Sequence, residues 1–359
     1  MKLVIFLVPV LLVACTPQGG MNDDDGTGDG GVARPPMTNG VSTLAGWSNS
    51  GYLDGSRNVN LFNNPVNVSY GPDGKLYVAD FDNNKLRVVD MEGTSSTVIS
   101  KTSFQRPFGM AWVGSTLFVS TDNDGMGQHD PVGSTTQQTG TIWRIDVGAK
   151  TATVVVEKIG RPRGLCALSD GRLGVVDYAH HVVEIVDPST GAYSIIAGAW
   201  DVPGAADGAG AGASFNQPYA CAQTSDGKLL VTDWGNNALR VVALDGTTAK
   251  LAGGAGFADG GMAGAKFNHP QGLVKAKDGD FFITDIDNFR VRRISSDLSN
   301  ITTIAGDGTS GYKDDDNKLS AEFAGLEGLG VKPDGSMVFV ADGNRGESLP
   351  YNRIRSIKL

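Results

Sequence analysis

Beyond about residue 40 the chain reads as short runs rich in Val, Ile, Leu, Thr and Phe, separated by polar turns of Gly, Asp and Asn, and no heptad pattern is sustained. Leu76-Tyr77-Val78-Ala79 follows the turn Pro72-Asp73-Gly74-Lys75, Leu229-Leu230-Val231-Thr232 follows Ser225-Asp226-Gly227-Lys228, and Phe281-Phe282-Ile283-Thr284 follows Lys277-Asp278-Gly279-Asp280. Asp-Gly between β-rich runs signals a hairpin. The runs recur in units that open at Pro65, Pro107, Pro162, Pro218 and Pro270, each with an Asp fifteen residues later: Asp80, Asp122, Asp177, Asp233 and Asp285. A sixth unit opens at Leu326 and carries Asp342. After each Asp come a polar turn, a third strand such as Leu86-Arg87-Val88-Val89, and a fourth such as Thr97-Val98-Ile99. Four short antiparallel strands per repeat of roughly 40 to 55 residues predict an all-β, six-bladed β-propeller of four-stranded blades.

The last unit tests that expectation, because it holds only three strands and ends at Leu359. Val41-Ser42-Thr43-Leu44-Ala45-Gly46 matches the fourth strand of units 3 to 5, so pairing it with the last blade closes the ring and removes two open edges. One closed domain is therefore expected over 41–359.

The Pro-x-Gly-Leu openings, the Val-Ala-Asp at the end of the second strand and the Asn-x-x-Leu-Arg before the third resemble NHL repeats, and the resemblance covers essentially all of the chain beyond residue 40. Units 1, 4 and 5 fit best; unit 3 has His180-His181 in place of the Asn-rich turn and Glu184 in place of the Arg, and unit 2 carries an insertion. The long loops through Asp54-Gly55, Asp207-Gly208, Asp259-Gly260 and Asp314 resemble a bacterial subset with extended interblade connections.

Composition adds where the chain is not made and what it does not bind. Thirty Lys and Arg against 39 Asp and Glu give a net charge of −9 and a pI near 4.9, which argues against nucleic acid and other polyanions as partners. Lys2 and the apolar run Leu3–Val13, too short to span a bilayer, form a signal peptide over residues 1–14. Leu12-Val13-Ala14-Cys15 resembles a bacterial lipobox, which implies that Cys15 is lipidated and becomes the first residue; an ordinary secretory signal that happens to hold a Cys is the other reading. Thr16, where an Asp would direct retention in the inner membrane, implies the outer membrane. Residues 15–40, rich in Gly and Asp, read as a solvated tether. The expected protein is a monomer held at the cell envelope by its lipid alone.

Candidate chemistry is sparse. Asp80, Asp122, Asp177, Asp233, Asp285 and Asp342 fall on one loop face, where they either form an acidic funnel for a divalent cation or accept hydrogen bonds from the backbone of their own turns; repetition in every blade favours the second. In the unit 2 insertion, Asp122, Asp124 and Asp130, with His129 beside them, are candidate calcium ligands, and a solvated loop is the alternative. Arg106, Arg161 and Arg163 flank the openings of units 2 and 3, poised to clasp a carboxylate or to pair with neighbouring Asp side chains. Four His with no metal-ligand spacing do not support a local zinc site. His180-His181 reads as a substitution within a polar turn. Cys166 and Cys221 lie on consecutive inner strands with opposite parity, as facing blade surfaces require, so export to an oxidising compartment suggests a disulfide; two buried thiols are the other possibility.

Two functional classes follow. The favoured one is an envelope-anchored binding module that recruits a protein or glycan through its loop face. The other is a pore-metal hydrolase or lyase of the gluconolactonase or amidating-lyase type, to which the resemblance extends without supplying a transferable set of catalytic residues. Val68, Met110, Leu165, Ala220, Leu273 and Leu329, read as the pore-lining positions, are small or apolar and weigh toward binding.

Overall fold

Asp-Gly turns interrupt the chain too often for any long element, and the computed structural model, which describes residues 39–123, 140–345 and 351–359, arranges it as six antiparallel sheets. Cys15, the signal peptide, nearly all of the tether, Asp124, His129 and Asp130 lie outside the described residues. The inner strands, Pro65–Tyr70, Gln105–Val113, Pro162–Ala167, Pro218–Gln223, Pro270–Lys275 and Leu326–Val331, each touch the next and the last touches the first, so the sheets stand as six blades around a channel. Val41–Trp47 pairs antiparallel with Asn352–Lys358 as the fourth strand of the last blade, and every residue of it is buried.

The inner strands crowd one another at the Gly of Pro-x-Gly-Leu. A Cβ on Gly272 would meet the Glu327 carbonyl at 2.4 Å, and one on Gly164 the Tyr219 carbonyl at 2.7 Å. Buried hydroxyls tie the strands across that contact: Thr284 Oγ1 donates to the Glu327 carbonyl at 2.6 Å and accepts from the Gly272 N–H at 2.7 Å. Ser120 and Thr232 make the same bridge to Pro162 and Gln271.

Between blades lie apolar clusters, and inside four of them sits a fully buried guanidinium. Arg87, Arg240, Arg292 and Arg355 occupy one position of the third strand, paired across the sheet with Val78, Val231, Ile283 and Val340. Each joins the repeat Asp of its own blade to the Asp of the preceding long loop: Arg87 lies 2.8 Å from Asp80 and 2.6 Å from Asp54. Arg240 bridges Asp233 and Asp207, Arg292 bridges Asp285 and Asp259, and Arg355 bridges Asp342 and Asp314. The guanidinium also donates to two loop carbonyls, those of Leu53 and Leu61 in blade 1, and lies over the loop's buried Phe62, 4.7 Å from the ring centre. The loop Asp in turn accepts from the outer strand, as Asp54 does from the Thr97 N–H at 2.9 Å. Each long loop is thereby drawn over the outer edge of its blade, and in blades 4 and 5 it adds a short fifth strand, Gly208–Ala209 and Gly260–Gly261, beyond the four expected.

Blades 2 and 3 have neither the long loop nor the Arg. Trp143 and Glu184 stand at the corresponding position, opposite Val119 and Val175, and the outer strands of these two blades leave Val154, Tyr193 and Ile195 exposed. Cys166 and Cys221 are joined as a disulfide between blades 3 and 4, closing a separation of 55 residues.

Two predictions follow from this packing. Arg240→Met leaves Asp233 charged and unpaired in the core, at a cost of about 3–5 kcal/mol of unfolding free energy in a urea titration; a loss below about 1 kcal/mol would show that the buried pair does not hold the blade. Replacing Cys166 and Cys221 together by Ala removes about 4 kcal/mol on the chain-entropy relation for a loop of this size, and unchanged stability would mean that the blade interface suffices without the bridge.

Candidate functional site

Each inner strand carries a bulge just after its opening residue. Pairing with the second strand skips Arg163, between Pro162 and Gly164, and Tyr219, between Pro218 and Ala220. In blades 5 and 6 the break falls between Pro270 and Leu273 and between Leu326 and Leu329, so Gln271 and Glu327 are likewise unpaired. A bulge re-aims a side chain, and at the loop-face mouth of the channel these four residues converge, together with Arg161, Tyr178, Trp234 and Arg345, around a cavity of about 250 Å³. Val68, Met110, Leu165, Ala220, Leu273 and Leu329 line the channel as read from sequence, toward the opposite face, but the set is incomplete: the polar Arg163, Tyr219, Gln271 and Glu327, one position after Pro162, Pro218, Pro270 and Leu326, line the mouth. Regular alternation hid them.

On the blade 3 side of the mouth, Arg161 Nε and Arg163 Nη2 both reach one oxygen of Asp122, at 3.1 and 2.9 Å. Arg163 lies over the Phe108 ring, 3.9 Å from its centre, and its Nε finds no acceptor. Phe108, Tyr219, Tyr178 and Trp234 then form a chain of edge-to-face contacts with centroids 5.5 to 6.2 Å apart. Trp234 stacks on His269 at 4.0 Å; His269 Nδ1 bonds Asp287, which also holds Arg345 at 2.7 Å. Across the channel from blade 3, Glu327 accepts from Gln271 Nε2 at 3.3 Å and bonds Tyr219. Burial pushes the Glu327 carboxyl up to about 8, against the pull of Arg163 and Arg345, so it is neutral at pH 7.

The sequence-predicted residues fall as follows. Asp80, Asp177, Asp233, Asp285 and Asp342 stand at the loop-face ends of their second strands but are buried, so they form no open acidic funnel. Their backbone donors differ from expectation. Asp80, Asp233 and Asp285 accept from the segment ahead of the inner strand, at Asn63, Asn216 and Asn268, and Asp342 does so at Ala324 and Gly325. Asp177 does use its own turn, through Ala179 and His180, as well as Arg161. Asp122 holds the two Arg side chains, and Arg106 lies over Phe81. His180, read as part of a polar turn, is buried against Trp200 and bonded to Asp201 at 2.6 Å. Among the described residues no group of three or more His, Cys, Asp or Glu side chains is gathered to hold a metal ion. The mouth does not fit a divalent cation either, because the one carboxylate in its lining, Glu327, stands between two guanidinium groups.

Six sheets around a channel, with the site at the mouth where inner strands begin, define a six-bladed β-propeller. An NHL-repeat family model matches residues 62–89, which span most of the first blade. It is 25% identical over 323 residues to NHL repeat-containing protein 2 of Gallus gallus, an alignment that covers 83% of this chain and 40% of that protein. The chain thus spans well under half the length of that relative. Among solved structures it resembles an auxiliary nutrient binding protein from Bacteroides thetaiotaomicron, with a TM-score of 0.66, 18% identity and coverage of 88% of this chain and 75% of the other. It also resembles a gluconolactonase from Xanthomonas campestris, with a TM-score of 0.57, 12% identity and coverage of 89% of both chains. At these identities the likeness is one of fold.

Glu184 generates a prediction of its own. Both of its oxygens are buried without a partner, and burial, with Asp177 adding to it, holds the carboxyl well above its ordinary range. The folded state keeps a proton that the unfolded state loses above the ordinary Glu pKa, so this residue lowers stability as pH rises. Glu184→Gln gains on the wild type by up to about 1.4 kcal/mol per pH unit from pH 5 upward, measured by urea unfolding at pH 5, 6 and 7. A difference that does not change with pH would place the charge of Glu184 elsewhere.

Proposed function

We propose that this protein is a binding module tethered to the bacterial cell envelope by a lipid on Cys15, and that it takes up a glycan unit at the loop-face mouth of its channel. The lipobox-like Leu12–Cys15 and the Gly/Asp-rich tether support the anchoring. Among the described residues no helix is long and apolar enough to cross a membrane.

The observation that carries the binding reading is the lining of the mouth. Trp234, one face of which is covered by His269, and Tyr178 bring aromatic surface to the lining, while Tyr219, Gln271, Glu327 and the Arg side chains supply hydrogen-bonding groups around a concavity of about 250 Å³. Aromatic faces with convergent polar groups suit a ring that is apolar on its C–H face and polar at its rim. The cavity is smaller than the roughly 300–1,000 Å³ of drug-sized sites, which suits one sugar residue rather than a protein loop. The fold shared with an auxiliary nutrient binding protein is consistent with this reading, and the cation-repelling donor set weighs against the pore-metal hydrolase.

Calorimetric titration of the protein with a panel of mono- and disaccharides is expected to find a ligand, and Trp234→Ala is expected to weaken it about tenfold, the equivalent of about 1.4 kcal/mol. Absence of binding by every sugar in the panel, or full affinity in the Trp234→Ala protein, would overturn the assignment of the mouth as the glycan site.

A further inference from the structure

Resting on the reading that the mouth takes a glycan unit, we propose that the unit is an acidic sugar whose carboxylate is held by Arg163 and Arg345 while its ring stacks on Trp234 and its hydroxyls meet Gln271, Tyr219 and Glu327. The charge count at the mouth supports this. Arg161 and Arg163 share a single Asp122 oxygen, so two cations are served by one anion. Arg345 shares Asp287 with His269. Among the described residues and with Glu327 neutral, the guanidinium groups of Arg106, Arg161, Arg163 and Arg345 stand against Asp82, Asp122 and Asp287, leaving one positive charge on a chain whose net charge is −9. A single ligand carboxylate completes that balance through the guanidinium groups of Arg163 and Arg345 that line the mouth.

The neutral Glu327 matters as much as the Arg side chains. A protonated carboxyl donates through its O–H, so beside an anionic ligand it adds a hydrogen bond; once ionised it repels the same ligand. The groups that face it are Gln271, Tyr219, Arg163, Arg345 and Asp82. Binding of an acidic sugar is thus strong below about pH 8 and falls as pH rises through it, whereas a neutral sugar is largely indifferent to that step.

The test compares matched pairs, glucuronate with glucose and galacturonate with galactose, against the full-length protein by calorimetry at pH 6.5 and 9, with succinate as a carboxylate lacking the ring. The expected result is at least tenfold tighter binding of the uronates at pH 6.5, a preference that shrinks at pH 9. In Arg345→Gln the preference is expected to collapse toward one, the uronates losing at least tenfold more affinity than the neutral sugars. In Glu327→Gln, which keeps the shape of the side chain, the difference between pH 6.5 and 9 is expected to vanish. Equal binding of acidic and neutral sugars would overturn this inference and leave the glycan-binding reading standing, binding of succinate as tight as that of the uronates would overturn the sugar specificity, and binding of none of the sugars would overturn both readings.

Discussion

A guanidinium clasped between two carboxylates inside a β-sheet interface sets the form of four of the six blades. An isolated charge at Arg87, Arg240, Arg292 or Arg355 would be prohibitively costly in those apolar clusters. It is tolerated because the repeat Asp lies on one side, the loop Asp on the other, and loop carbonyls accept from the guanidinium, as those of Leu53 and Leu61 do from Arg87. The dependence runs both ways. A long loop cannot lift from its blade without stranding a buried cation, so a connection that would otherwise be slack Gly-rich chain is fixed across the outer edge. That coverage also shields edge strands, which are open templates for association when bare.

Where the clasp is missing, the molecule stops being a plain repeat. Blades 2 and 3 replace the Arg with Trp143 and Glu184, and their connecting segments are short. The same sector supplies Asp122, Arg161 and Arg163 to the channel mouth and is tied to blade 4 by the disulfide. A binding site needs difference between otherwise equivalent positions: blades 2 and 3 bring the paired Arg side chains and Tyr178, and blades 4 to 6 bring Tyr219, Trp234, Gln271, Glu327 and Arg345. The covalent bridge joins that sector to blade 4, within the apolar cluster that also holds Phe215, the ring beneath Arg240.

The mouth itself is built on the most constrained part of the scaffold. Inner strands approach so closely that only the small residue of Pro-x-Gly-Leu fits between them, and a buried hydroxyl fastens neighbouring strands at that point. In blades 3 to 6 the bulge beside it presents Arg163, Tyr219, Gln271 and Glu327 to the channel. Those side chains are free to vary in chemistry because their backbone is fixed by neighbours, which is the arrangement a rigid recognition site requires.

The sequence by itself determined the repeat, the number of blades and the closing strand, because Pro-to-Asp spacing, Asp-Gly turns and β-rich runs are local signals that recur with little interference from context. It also made the Cys166 and Cys221 pairing a reasonable expectation, since parity and blade adjacency follow from the repeat. The buried Arg was visible as Asn-x-x-Leu-Arg and the loop Asp as Asp-Gly, yet their union spans about 33 residues in blade 1 and joins segments from two different units. Only tertiary structure could decide that. It alone also decided the identity of the site. One extra residue at each inner-strand bulge shifts side-chain parity, so Arg163, Tyr219, Gln271 and Glu327 face the channel where strict alternation points to their apolar neighbours, and the neutrality of Glu327 arises from burial among groups contributed by several blades.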